Sequence, residues 1–297
     1  PIPNPQSPIP NPHEDLLKIK KIIKPYKLIN KILNINKLLM TIYITYLNKV
    51  WLFNLYKMKA YILLALFAYA LSARGFATRY WDCCKPSCSW TSNAGSGREA
   101  RECDTRMNRI FDHNARSKCD GGPSTTCISQ VPHVQSSNLA YAFAAAPGGG
   151  PNVCGKCFKL TFDGQGKYET KTNHQKLRGK QLIIMATNIG YDVAGGQFDI
   201  MIPGGGVGIF NGCAGIMSTA GKQYGGLLSD CEEQVGWNGD IYSKRKQCLT
   251  NKCNSEFSSN PTAKKGCLFL ADWMEAAGNP TMDYEETPCP DYLKQNY

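Results

Sequence analysis

Thr78-Arg-Tyr-Trp-Asp-Cys-Cys-Lys-Pro-Ser-Cys-Ser-Trp90 places three cysteines, three aromatic rings and one carboxylate in a single short stretch. If its first residues are extended, side chains alternate between faces, so Trp81 lies opposite Tyr80 and Asp82 and is either core or part of an aromatic binding surface. The cysteines that follow belong to a wider pattern. All 14 cysteines of the 297-residue chain fall between Cys83 and Cys289. An even count in a chain with 28 Gly and 17 Pro fits paired disulfides, which persist only in oxidising compartments. A cytosolic setting is therefore disfavoured, and secretion to the extracellular space is expected. Cys154-Gly-Lys-Cys157 has the spacing of metal ligands, but no second CxxC and no spaced His pair accompanies it among only 4 His. No metal and no cofactor are expected.

The charge is as unevenly spread as the cysteines. Of the 34 Lys/Arg and 23 Asp/Glu, 11 basic and 2 acidic residues precede Gly75, which leaves 23 and 21 and a net of +2 for the rest. A nearly neutral folded part gains little from counterion release, so nucleic acid is a poor partner. From Met58, a Met-Lys start, an apolar run Ala60 to Leu71 and small residues at Ala73-Arg-Gly75 and Gly75-Phe-Ala77 follow the order of a signal peptide. Residues 58–75 are read so, with cleavage after Gly75 or Ala77 and no membrane attachment afterwards. Residues 1–57, rich in Lys, Ile, Asn and Leu, are set aside as upstream sequence outside the native fold. An amphipathic or membrane-seeking helix over about Asp15 to Tyr56 is the alternative.

Residues 76–297 remain, enough for one domain with a sizeable core. Short apolar runs at Cys157 to Phe162, Gln181 to Thr187 and Phe198 to Ile202 alternate with Gly-rich turns, the pattern of a β-barrel or sandwich. Helical patterning is expected over Glu99 to Ala115 and over Leu268 to Ala277, the latter ending at Gly278 and Pro280. The polar stretch Ser243 to Ala263, with Cys248 and Cys253, reads as a disulfide-stapled loop. Lys85 is expected to do no more than pack against the disulfides.

A second stretch, Gln197-Phe-Asp-Ile-Met-Ile-Pro-Gly-Gly-Gly-Val-Gly-Ile-Phe210, sets Asp199 among apolar neighbours. These cannot satisfy a carboxylate unless it points into a polar cleft or is neutral, and such burial favours the protonated form that a general acid needs. Gly204-Gly-Gly206 lacks the Lys-Ser/Thr of a phosphate loop and reads as a tight turn where backbone meets backbone.

Together with Asp192 in Gly190-Tyr-Asp-Val193, these two stretches resemble glycoside hydrolase family 45, with scattered matches from Thr78 to Cys289. The resemblance implies a mainly β fold, a six-stranded double-psi β-barrel with short helices and long disulfide-stapled loops. It implies a monomeric endo-β-1,4-glucanase (cellulase) that cuts β-1,4-glucan internally and inverts the anomeric centre. By the same resemblance Asp82 is the general base and Asp199 the general acid. Asp192 sits on a loop over the cleft as an auxiliary carboxylate, and Thr78, Tyr80, Trp90 and Tyr224 bind sugar. Sugar rings would stack on the aromatic faces. The implied disulfides join Cys83 to Cys213, Cys84 to Cys119, Cys88 to Cys154, Cys103 to Cys127, Cys157 to Cys289 and Cys231 to Cys267, leaving Cys248 with Cys253.

Gly196 and Gln197 depart from the Asn and His common before the acid, and Gly155 stands where fungal members often carry another cysteine. The alternatives are a xyloglucan- or glucomannan-directed hydrolase, or a non-catalytic expansin-like wall-binding protein, since one barrel serves both. Having both partners of the acid/base pair favours the enzyme.

Overall fold

The computed structural model describes residues 12–71, 73–148, 150–191, 193, 195–236, 238–239 and 241–297. The chain divides into two compact units, one up to Ala70 and one of Leu71–Tyr297. Helix α1, Pro12–Leu71, accounts for the described part of the first. No helix among the described residues is long and apolar enough to cross a membrane.

The second unit is built on strands β1 (Ala73–Tyr80), β2 (Glu102–Cys103), β3 (Arg109–Ile110), β4 (His133–Val134), β5 (Leu139–Ala146), β6 (Cys157–Gly166), β7 (Gln181–Ile189), β8 (Gln197–Met201) and β9 (Pro280–Thr287). Between and after them come short helices α2 (Thr91–Ala94), α3 (Thr172–Gln175), α4 (Gly226–Val235), α5 (Tyr242–Glu256), α6 (Pro261–Asp272) and α7 (Asp291–Asn296). The strands run in the order β5-β7-β6-β9-β1-β8, and β8 pairs back onto β5, so six strands close into a ring with β4 appended outside β5. Two pairs, β1 with β8 and β5 with β7, are parallel and the others antiparallel. This is the six-stranded double-psi barrel expected from the sequence. Closure removes the unpaired strand edges that would otherwise invite association.

Alternation fills the interior. Leu160 and Phe162 of β6, Leu182 and Ile184 of β7, Phe198 and Ile200 of β8, and Met282 of β9 are all buried. The alanines of β5, Ala140, Ala142, Ala144 and Ala146, are buried with them. Their small side chains leave room in a narrow barrel for the phenylalanines. Phe198 packs its ring against Phe158 at 5.3 Å and Tyr284 at 4.9 Å. Trp81 is only 4% exposed and packs with Phe143, Met185 and Met201, which settles it as core.

Three local expectations are overturned. Residues Glu99 to Ala115 form no helix. They hold β2 paired with β3 and a turn in which Asp104 Oδ1 accepts from the Arg106 and Asn108 amides at 2.8 and 2.9 Å. Asp side chains that bond nearby backbone compete with helix, and the Cys103–Cys127 disulfide anchors the non-helical path. The Ser243 to Ala263 stretch is largely helical. Arg245, Leu249 and Cys253 of α5 form a buried stripe at four-residue spacing, and polar residues cover its other faces. Asn260 then caps α6 by accepting from the Ala263 amide at 3.0 Å, with Pro261 in the first turn. That helix ends at Asp272, short of the expected Ala277, because Glu275 and Ala276 turn to positive φ.

Five of the seven expected disulfides form: Cys83–Cys213, Cys84–Cys119, Cys88–Cys154, Cys103–Cys127 and Cys157–Cys289. The other two pair differently, as Cys231–Cys248 and Cys253–Cys267. The helix explains why. Cys248 and Cys253 share α5, where five residues rise about 7.5 Å and point apart, beyond a disulfide's reach. One therefore faces α4 and the other α6. Cys154 and Cys157 are both consumed by disulfides, and among the described residues no cluster of His, Cys, Asp or Glu could hold a metal ion.

Candidate active site

Asp199 sits where the barrel closes. Its register partners are Thr78 on parallel β1 and Ala145 on antiparallel β5. Phe198 and Ile200 point into the barrel interior, so the alternation of β8 turns Asp199 to the opposite face. Asp199 lines two adjoining cavities. One, of about 400 Å³, includes Thr78, Arg79, Tyr80, Gln197 and Tyr224. The other, of about 450 Å³, includes Tyr80, Asp82, Lys85, Trp90 and Asn188. Tyr80, Asp199, Gly208 and Ile209 line both, so the two form one groove with Asp199 near its middle.

Asp82 lies two residues beyond the end of β1. There Cys83 takes a left-handed backbone, φ 56°, which costs energy in a non-glycine residue and is held here by its disulfide to Cys213. The Gly212 amide donates to the Asp82 carbonyl at 2.8 Å. The turn brings the Cys84 amide to Asp82 Oδ1 at 2.9 Å, orienting the carboxylate into the groove. The Gly204-Gly-Gly206 turn supports the same end of β1. Gly206 accepts from the Trp81 amide at 2.8 Å, and a Cβ on Gly205 would meet the Tyr80 nitrogen at 2.8 Å. Backbone meets backbone there, as the sequence implied.

Of the expected sugar contacts, Thr78, Tyr80, Trp90 and Tyr224 all line this groove, and Tyr224 is 65% exposed. Asp192 lies outside the described residues. Gln197 donates from Nε2 to Thr78 Oγ1 at 3.0 Å.

Lys85 corrects its sequence reading. It does more than pack on disulfides. Its ammonium stands 3.1 Å from Glu102, both side chains fully buried, and donates to the His113 and Ala115 carbonyls at 2.8 and 3.0 Å. It also sits 3.7 Å from the centre of the Trp90 ring, a cation–π contact that fixes the ring's tilt. Asn188 was not foreseen. Its amide hydrogen-bonds the Tyr80 hydroxyl, while its Oδ1 accepts from the Ser87 amide at 2.5 Å. A polar residue inside the apolar β7 run was the available signal.

Residues 74–236 match the model of Glycosyl hydrolase family 45. The chain belongs to this family. It is 44% identical over 225 residues to Endoglucanase B of Cellvibrio japonicus, covering 73% of this chain and 43% of that protein's length. It is 37% identical over 232 residues to an endoglucanase of Cryptopygus antarcticus, covering 75% of this chain and 88% of the relative. The crystal structure of a cellulase from that Antarctic springtail superposes with a TM-score of 0.59 at 34% identity, covering 76% of this chain and 95% of the other. A family 45 protein is a glycoside hydrolase, and the expansin-like alternative falls away.

Proposed function

We propose that this family 45 hydrolase is a secreted, monomeric endo-β-1,4-glucanase acting on cellulose-type chains by single displacement with inversion. The observation that carries this reading is the open groove with Asp82 and Asp199 both in its wall and aromatic rings on either side. An open groove admits a polymer in mid-chain, whereas a closed pocket would take chain ends.

In this reading Asp82 takes a proton from a water as the water oxygen bonds the anomeric carbon. Asp199 gives its proton to the glycosidic oxygen as the bond to that oxygen breaks. Inversion needs room for the water, with carboxyl groups about 6.5–9.5 Å apart. Thr78, Tyr80, Trp90 and Tyr224 hold the sugars, and Asp192 is proposed as an auxiliary carboxylate. A panel of carboxymethylcellulose, xyloglucan, mixed-linkage glucan and glucomannan tests the substrate assignment; preference for xyloglucan or glucomannan would overturn it.

Secretion is supported by seven disulfides that leave no cysteine free. The segment that starts at Met58 is the proposed leader, and the structure bears on where it would be cut. Since Ala73 to Phe76 pair with β9, processing just ahead of Ala73 would preserve the barrel wall better than cleavage at Gly75 or Ala77. N-terminal sequencing of the secreted product distinguishes these.

A further inference from the structure

One buried cation in the groove wall takes no part in the mechanism above. Arg79 of β1 is 7% exposed and lines the same cavity as Asp199. Its Nε donates to the Gly225 carbonyl at 3.0 Å, and its Nη2 donates to Ser229 Oγ at 3.0 Å. The same Nη2 lies 3.7 Å from Glu232 of α4. Glu232 in turn lies 3.9 Å from Arg245, the fully buried arginine of α5, which also holds Glu169 at 2.7 Å. An ion chain therefore runs from the α5 segment through α4 to the strand beside the acid.

Burying a guanidinium is costly unless its donors are satisfied and its charge is balanced. Here two hydrogen bonds and one carboxylate do this, and one of the bonds fixes the turn that follows Tyr224. Burial draws the Arg79 pKa below its ordinary value, while the negative charges of Glu232 and Asp199 act to raise it. The guanidinium stays charged, so its field acts back on Asp199.

We propose that Arg79, balanced by Glu232, is a positioning residue for the acid half of the site: it pins the Tyr224 turn and sets the field in which Asp199 holds its proton. The inference rests on the reading of Asp199 as general acid. Other groups face the same groove: Tyr168 and Tyr224 on the Arg79 side, Asp82, Lys85, Asp120 and Tyr191 on the other, and Tyr80 on both. All of these side chains are retained in the variants at Arg79 and Glu232, and following the Asp199 carboxyl itself separates its titration from theirs.

The two partners carry opposite charge, so their removal has opposite signs. Arg79→Gln takes away a positive charge and favours the protonated acid, which moves the Asp199 titration and the alkaline limb of kcat/KM to higher pH. Glu232→Gln leaves the cation less compensated and moves both to lower pH. Shifts of about half to one pH unit are expected for a partly screened charge. Arg79→Lys keeps the charge, so its limb stays in place while KM rises through loss of the paired bonds to Gly225 and Ser229.

The experiment follows the Asp199 carboxyl by ¹³C NMR titration alongside the pH–rate profile, in the full chain and all three variants. Opposite shifts in both readouts, with the lysine variant unmoved, are the expected result. Shifts of one sign, or none in the NMR titration, overturn the inference, and the Glu232 variant decides if Arg79→Gln does not fold. Opposite NMR shifts with an unmoved rate profile would uphold the electrostatic coupling and instead overturn Asp199 as the acid.

Discussion

Thr78 stands opposite Asp199 in the parallel pairing of β1 and β8, and its hydroxyl accepts from the amide of Gln197, two residues before that acid. One hydrogen bond thus ties the strand leading to Asp82 to the strand carrying Asp199. The Cys83–Cys213 disulfide makes a second tie, between the residue after Asp82 and the loop beyond Asp199. Both proposed acid/base residues are held by one short stretch of backbone.

The two acids should fail differently. Asp82→Asn leaves water unactivated and is expected to be nearly inactive on every substrate. Asp199→Asn should be equally poor on polysaccharide but recover much more on an aryl glycoside, whose phenolate leaves without a proton. Asp192→Asn should lose less than either. Values of kcat/KM on both substrate types check this, and rescue of Asp82→Asn by the good leaving group would reverse the assignment.

The Lys85–Glu102 pair should matter more to stability than a surface ion pair. Glu102→Gln strands a buried ammonium, and removing one partner of such a pair costs about 3–5 kcal/mol. Denaturant unfolding measures the loss. A cost below about 1 kcal/mol would place the pair with exposed salt bridges.

The cysteine pairing of the helical segment is open to direct test. Non-reducing digestion and mass spectrometry should yield fragments joined through Cys231–Cys248 and Cys253–Cys267. Recovery of a Cys231–Cys267 fragment would contradict the helical geometry of α5.

Short apolar runs cut by glycine made a β-barrel or sandwich legible, and the resemblance to family 45 implied which; Trp81 and Asp199 each obey alternation. The two misreadings at α5, of a loop and of the Cys248–Cys253 pair, share one cause. Helix α5 has few apolar residues, so composition suggested a loop, although Arg245, Leu249 and Cys253 already stood at helical spacing. Seeing a helix there would have forbidden the Cys248–Cys253 pairing. Arg79, Lys85 and Glu102 were opaque for a different reason. A charged residue usually lies in water, and only the fold shows which charges are buried against one another.

The cluster of Tyr242, Glu275, Lys180 and Lys246 gives a pH dependence. Burial and then the hydrogen bond to Glu275 push the Tyr242 hydroxyl up to about 12. A group whose folded pKa is raised stabilises the fold fully below its unfolded value, near 10, and loses that contribution as pH rises through the folded value. Melting temperature should therefore fall between about pH 10 and 12. Tyr242→Phe should flatten that fall, and an unchanged slope in the variant would remove Tyr242 from the effect.

The central claim is that Asp82 activates a water that attacks the anomeric carbon directly, with Asp199 protonating the departing oxygen. Proton NMR of the products during the first minutes of hydrolysis of a β-1,4-gluco-oligosaccharide, before mutarotation, tests it most directly. The α-anomer should appear first at the new reducing end, and an initial β-anomer would contradict the single displacement assigned to Asp82 and Asp199.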